Sequence, residues 1–139
     1  MNVLLYAKGK GEITETLGRI IDSCVRKKSL EKYSTISGLS QRLRRPTNNL
    51  GIAVIAVTTK RQLQDIVAIR HLLSDIRIIL IVPDRAPDTV SAAHTLSPRF
   101  LTYMDSDFIC IKAVLAKMLQ SSNTSNIELI GSKKSKSKK

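Results

Sequence analysis

The sequence contains few aromatic residues and few cysteines. It has no tryptophan, 4% aromatic residues and two cysteines among 139 residues. The core must therefore consist mainly of Ile, Leu, Val and Ala. Cys24 and Cys110 are far apart in the sequence and fall on apolar helix faces, so we expect two small buried thiols rather than a disulfide or a metal pair.

The sequence also lacks a long apolar run. No stretch approaches the roughly 18 apolar residues that a membrane span requires. The first apolar run, Val3 to Ala7, is too short for the hydrophobic region of a signal peptide. These absences predict a cytoplasmic protein that has no membrane partner.

Basic residues outnumber acidic ones. The chain has 23 Lys and Arg against 11 Asp and Glu, a formal net charge of +12. Such an excess attracts nucleic acid, anionic membranes or acidic proteins, but it does not specify a fold. Much of it lies in the Lys/Ser tail at the end of the chain, which has too little apolar surface to fold.

Apolar runs alternate with amphipathic segments along the chain. Apolar runs and weaker patterns predict strands at 3–7, 30–35, 51–57, 76–82 and 99–103. Apolar residues at helical spacing predict helices at about 11–26, 36–43, 60–73, 87–96 and 111–120. Apolar strands separated by helices favour parallel pairing through right-handed crossovers. We predict a three-layer, doubly wound α/β sandwich over residues 1–120, followed by a polar linker and a disordered basic tail over residues 121–139.

Five strands alternating with five helices resemble the receiver domain of response regulators. The resemblance implies a flavodoxin-like parallel sheet of order 2-1-3-4-5 and a site for phosphoryl transfer to aspartate. Such a site needs carboxylates for a metal, an aspartate nucleophile, a hydroxyl and a lysine. At the matching positions the sequence has Ala7 and Lys8, then Val57 or Thr58, then Pro83, and finally Met104 and Asp105. We therefore expect a pseudo-receiver, a non-catalytic signalling or regulatory interaction domain that is not phosphorylated.

The resemblance also implies a surface for protein partners. Receiver relatives commonly pair through the fourth helix, the fifth strand and the fifth helix. In this sequence that surface would lie around Ala93, Tyr103 and Lys112. A protein partner is therefore expected, and a homodimer through this face is one form of it.

A basic, glycine-containing loop follows the first predicted strand. Lys8, Gly9, Lys10 and Gly11 lead into a helix N-terminus, where free N–H groups favour an anion, and Lys60 begins a helix at the same edge. No nucleotide-binding glycine motif is present. The loop is a candidate anion site, although a flexible basic turn is the more ordinary interpretation; no cofactor is predicted.

Acidic residues follow the last two predicted strands. Asp105-Ser106-Asp107 resembles the D-x-D pair of Toprim nucleases and primases, and Asp84 lies on a neighbouring loop, so the three could hold Mg²⁺. The first strand ends without the glutamate that Toprim chemistry needs. Ordinary helix capping explains these residues better, and no metal site is predicted. His71 and His94 are isolated, partly exposed helix residues.

A basic cluster surrounds the second predicted strand and helix. It comprises Arg26, Lys27, Lys28, Lys32, Arg42, Arg44 and Arg45. Such a cluster is either a solvated face or a surface for a phosphate backbone or an acidic protein. Aromatic residues for base stacking are few and no recognition motif appears. Binding of nucleic acid or another polyanion is thus the alternative function.

Overall fold

The apolar runs form one parallel sheet in the computed structural model, which describes residues 2–7, 11–25, 29–46, 50–104 and 109–127. The strands are β1 (Asn2–Ala7), β2 (Leu30–Tyr33), β3 (Leu50–Ala56), β4 (Arg77–Val82) and β5 (Phe100–Tyr103). They pair in parallel in the order β2-β1-β3-β4-β5. The predicted sheet and its order are confirmed.

Five helices cover the two faces of the sheet. They are α1 (Glu12–Asp22), α2 (Ile36–Arg44), α3 (Lys60–Ala68), α4 (Pro87–His94) and α5 (Ile109–Ile127). Alternate strand residues point to opposite faces, so each central strand serves two cores. One core packs against α2, α3 and α4, and the other packs against α1 and α5. The predicted three-layer sandwich is therefore confirmed.

The third helix is shorter than its apolar pattern predicts. The α-helix ends at Ala68, and a 3₁₀ turn follows from Arg70 to Leu73. Ile69 marks the change, because its N–H donates to the Ile66 carbonyl group at 3.0 Å instead of the carbonyl group one residue earlier. Leu73 remains buried through this tighter turn. The apolar spacing thus predicts which residue faces the core but not the change of helix type.

The fifth helix is longer than predicted. It continues to Ile127, across residues that we expect to form a polar linker. No glycine or proline occurs between Ile109 and Ile130 in the sequence, so no residue of a helix-breaking type ends the helix near Gln120.

Threonine hydroxyls cap α2 and α3. Thr35 Oγ1 accepts the N–H of Gly38 at 3.0 Å, and Thr59 Oγ1 accepts that of Gln62 at 3.2 Å. A Cβ on Gly38 would lie 3.1 Å from Thr35 Oγ1, which is crowded for such a contact. Gly38 therefore lets the α2 cap close without displacing the hydroxyl.

The cysteines are both free thiols, but only one is shielded. Cys24 is half-buried beside α5, whereas Cys110 is exposed. The prediction of two buried thiols is wrong for Cys110. The α5 residues that face the sheet are Ile111 and Leu115, and Cys110 lies one position outside this stripe.

Candidate functional site

The carboxyl edge of the sheet is where this architecture places a ligand. At the end of β1, Ala7 is buried, and its methyl group has no atom that could bind a metal. Lys8, Gly9 and Lys10 lie outside the described residues. Gly11 begins α1 with an extended backbone and without a side-chain cap. A Cβ on Gly11 would meet no atom within 4 Å, so local packing does not require glycine there.

The end of β3 is fixed by hydrogen bonds. Val57 is fully buried, and its N–H donates to the Ile81 carbonyl group at 2.9 Å. The N–H of Thr58 donates to Gln62 Oε1 at 2.9 Å. Because Thr59 in turn caps the N–H of Gln62, the loop is closed on itself. Neither candidate phosphoacceptor position carries a carboxylate.

Lys60, a candidate anion ligand, is part of an ion pair. Its Nζ lies 3.2 and 3.3 Å from the two carboxylate oxygens of Asp88, on α4. Both side chains are exposed, so the pair contributes little to stability. The pair nevertheless reduces the positive charge that Lys60 would offer to an anion at this edge.

Asp84 follows β4 and is held by its own loop. Its Oδ1 accepts the N–H of Ala86 at 3.0 Å. The pKa of the Asp84 carboxyl is lowered, first by the neighbouring Thr89 hydroxyl, then by the Ala86 N–H and by the charge of Lys60. Thr89 is itself buried, and among the described residues its Oγ1 has no partner at full hydrogen-bond geometry. Asp84 therefore stabilises the turn that precedes α4.

The last strand brings no further acid into the described site. The N–H of Met104 donates to the Val82 carbonyl group at 2.9 Å, which continues the β4–β5 pairing. Asp105 and Asp107 lie outside the described residues. Across the parts of the chain that the structure describes, no three His, Cys, Asp or Glu side chains group as metal ligands.

A small depression lies beside the end of β1 and β2. It has a volume of about 130 Å³, and Ala7, Thr14, Lys32 and Ser34 contribute to its lining. Lys32 extends toward α1, where its Nζ would lie 3.6 Å from a Cβ on Gly18. The depression has room for water or a small ion.

The basic cluster contains a paired arginine. Arg42 is 8% exposed, and its Nε donates to Glu31 Oε1. Its Nη2 donates to Glu31 Oε2 at 3.2 Å, and its Nη1 donates to the Pro46 carbonyl group at 3.2 Å. Arg42 therefore offers no exposed guanidinium to a partner.

The rest of the predicted basic cluster is only partly described. Arg44 and Arg45 are exposed at the end of α2, and Lys32 is exposed on β2. Arg26, Lys27 and Lys28 lie outside the described residues. Whether the described and undescribed cations form one surface stays a prediction.

Glu31 is the acceptor at the centre of this network, and the sequence analysis missed it. Its carboxylate also accepts from Tyr33 Oη at 3.1 Å and Asn2 Nδ2 at 3.2 Å. These donors, with Arg42 first, lower the pKa of Glu31, and burial opposes them. The sequence does contain one signal for this contact. Glu31 and Tyr33 are two positions apart in β2, so their side chains lie on the same face of the strand.

The predicted partner surface contains one residue that cannot contact a partner. Ala93 is fully buried against the sheet, whereas Lys112 is exposed on α5. Tyr103 is half-buried, and the Arg85 guanidinium lies 4.2 Å above its ring centroid. That Tyr103 and Lys112 belong to one partner surface stays a prediction. His71 and His94 are both exposed.

Within the described residues, no helix is long and apolar enough to cross a membrane.

The fold is shared with solved structures of low sequence identity. One is a pilus assembly-related protein from Burkholderia pseudomallei K96243, with 17% identity, 87% of this chain and 88% of that chain covered, and a TM-score of 0.58. Another is a pilus assembly protein (CpaE) from Burkholderia thailandensis E264, with 17% identity, 89% and 99% coverage, and a TM-score of 0.58.

A response regulator from Thermotoga maritima is similar over 86% of this chain and 98% of that chain, with 11% identity and a TM-score of 0.58. No protein-family model and no curated protein matches the sequence. Together with the sheet order, these similarities show that the chain has the receiver-like, flavodoxin-like fold.

Proposed function

We propose that the protein is a non-catalytic, receiver-like interaction domain that acts in the cytoplasm without being phosphorylated. The observation that carries the proposal is the end of β3, where Val57 is buried and Thr58 is held by Gln62. Phosphoryl transfer to a receiver needs an aspartate there, with a metal beside it. Ala7 at the end of β1 likewise has no metal-binding group in its side chain.

The two described acids that follow β4 do not replace the missing ones. Asp84 and Asp88 lie beside the end of β3, because β4 is paired with β3, but neither stands at the end of β1 or β3 itself. Asp84 accepts a backbone N–H, and Asp88 pairs with Lys60. Both carboxylates therefore have structural partners, which supports a role in shaping the loop rather than in accepting a phosphoryl group.

A protein partner is the second part of the proposal. The guanidinium of the exposed Arg85 lies over the Tyr103 ring, and Lys112 is exposed on α5, the helix that follows β5. Arginine and tyrosine are enriched at protein interfaces. Two similar structures are proteins of pilus assembly, which supports a role in organising a protein assembly. A second copy of this chain is one such partner.

Treatment with acetyl phosphate and Mg²⁺ is expected to leave the protein unchanged. Native mass spectrometry, run before and after treatment, measures both the covalent mass and the oligomeric state. A conventional receiver, treated in parallel, should gain about 80 Da as an aspartyl phosphate. A gain of the same size by this chain, or a dimer that forms only after treatment, would overturn the proposal.

Polyanion binding is the second candidate function. Arg44 and Arg45 are exposed at the end of α2, and neither forms an ion pair with another described residue. Arginine suits phosphate because its planar fork can contact two oxygens. The Lys/Ser tail would add long-range attraction.

The second function predicts that the protein binds mixed-sequence duplex DNA and that the affinity falls steeply as the salt concentration rises. Replacing Arg44 and Arg45 by Gln should weaken binding about tenfold, as should removal of residues 131–139. The control variant replaces Arg19 and Arg61, two exposed arginines on other helices. Fluorescence anisotropy measures the affinity, and equal losses in both double variants would rule out a specific surface.

A further inference from the structure

A larger depression opens at the opposite edge of the sheet, where β4 and β5 begin. It has a volume of about 370 Å³ and lies between the 3₁₀ turn after α3 and the end of α4. Its apolar lining residues Leu73, Ile76 and Leu96 are buried. Small-molecule pockets have volumes of about 300 to 1,000 Å³ and apolar linings with a few polar groups. The depression falls in this range of volumes, and it combines an apolar floor with a polar, open rim.

Cationic and polar side chains form the rim. Arg70 and His71 line the depression from the 3₁₀ turn, and Ser97 lines it from the segment before β5. Among the residues that the structure describes, these side chains make no hydrogen bond or ion pair. Asp75, which follows in sequence, does not line the depression. The rim therefore presents available donors.

The neighbouring carbonyl groups are already occupied. Those of Ala92, Ala93 and His94, at the end of α4, accept from the N–H groups of Thr95, Leu96 and Ser97 at 3.1, 3.1 and 3.0 Å. Ser74 and Thr95 line the depression too, but their hydroxyls donate to the carbonyl groups of His71 and Ala92. These four carbonyl groups are thus satisfied internally, and the side chains of Arg70, His71 and Ser97 remain as donors for a ligand.

Ser97 has an uncommon backbone conformation. Its φ is 49°, in the left-handed region. For a residue with a side chain this region costs about 1 kcal/mol, which glycine would avoid. Serine at this position places a hydroxyl at the rim of the depression.

We propose that this pocket binds a small organic phosphate. The guanidinium of Arg70, the imidazole of His71 and the hydroxyl of Ser97 supply donors for the terminal phosphate oxygens. A guanidinium can contact two phosphate oxygens at once, which makes it a strong phosphate ligand. The apolar floor receives the organic part of the molecule, where burial of apolar surface adds affinity. The pocket lies away from the carboxyl edge, so this inference is independent of the proposed function.

Phenyl phosphate is the probe that tests the pocket. Titrated into the full chain labelled with ¹⁵N, it should shift the amide signals of Arg70, His71, Leu96 and Ser97. Phenol lacks the phosphate and therefore tests its contribution, and inorganic phosphate likewise tests the contribution of the ring. Benzoate tests whether a carboxylate, with two oxygens, can replace the phosphate. We expect each of the three to bind at least about tenfold more weakly than phenyl phosphate.

The Arg70→Gln variant should weaken binding of phenyl phosphate about tenfold, because it removes the charge and the two-oxygen contact. Arg61→Gln is the matched control, since Arg61 is exposed on α3 and does not line the pocket. Both positions are exposed, so thermal unfolding should confirm that both variants remain folded.

Three results would overturn the inference. The first is the absence of shifts at pocket residues. The second is an equal loss of affinity in Arg70→Gln and Arg61→Gln, which would indicate diffuse attraction to a basic protein. The third is binding of inorganic phosphate or benzoate that is as tight as binding of phenyl phosphate. For inorganic phosphate this would show that the apolar floor adds no affinity, and for benzoate it would show that the pocket does not select a phosphate. None of these results bears on phosphorylation at the carboxyl edge.

Discussion

Replacing Leu80 by Ala is expected to lower the free energy of unfolding by about 3 kcal/mol. Leu80 is 0% exposed and lies in β4, which is paired on both sides, with β3 and β5. Its side chain belongs to the core formed with α2, α3 and α4. Truncation removes buried apolar surface and leaves a cavity that the paired strand cannot close.

Leu101→Ala provides the matched control for this prediction. Leu101 is the register partner of Leu80 on β5, packs against the same core and is only half-buried. The same truncation at the edge of the sheet should lower the free energy of unfolding by about half as much. Urea denaturation measures both values. Equal losses at the two positions would show that β5 is covered by a partner or that β4 relaxes around the cavity.

The difference between these strands also explains how far the fold follows from sequence. Apart from Arg77 at the start of β4, the runs that form β3 and β4 contain no polar side chain, because helices cover both faces of the central strands. The edge strand β2 has the mixed sequence Leu-Glu-Lys-Tyr, so its pattern is weak. The central strands therefore follow from their continuous apolar runs, whereas the order of the sheet follows from the resemblance to receivers.

The state of the charged residues did not follow from sequence. Arg42 lies close to other cations in the sequence, yet its partner Glu31 lies on another element. Lys60 likewise pairs with Asp88, which is 28 positions away. Whether a cation is exposed depends on how two elements pack, and a one-dimensional pattern does not contain this information.

The pocket where β4 and β5 begin does not follow from the sequence, for a related reason. No motif in the sequence links Arg70 and His71 to a site, and the sequence indicates His71 only as an isolated helix residue. The pocket forms because the 3₁₀ turn and the end of α4 lie side by side. Their juxtaposition depends on the place where α3 changes into the 3₁₀ turn, which helical periodicity did not predict.

Replacing Arg42 by Ala is expected to lower the free energy of unfolding by about 2 kcal/mol at neutral pH. The variant leaves the Glu31 carboxylate largely shielded from water without its cation, and it removes the link to the Pro46 carbonyl group. Arg44→Ala is the matched control, because Arg44 is an exposed arginine on the same helix. Arg44→Ala should change the free energy of unfolding by no more than about 0.5 kcal/mol.

The loss caused by Arg42→Ala should shrink as the solution becomes acidic. In the folded protein the pKa of Glu31 is below its ordinary value of 4.5, mainly because Arg42 donates to the carboxylate. A lowered folded-state pKa contributes stability above the unfolded-state pKa, and this contribution disappears as the pH falls through the folded-state value. The advantage of wild type over Arg42→Ala should therefore begin to shrink below about pH 4.5 and continue to shrink until the pH is below the lowered pKa of Glu31. Denaturation curves at several pH values test this, and a difference that stays constant would assign the loss to packing of the arginine stem.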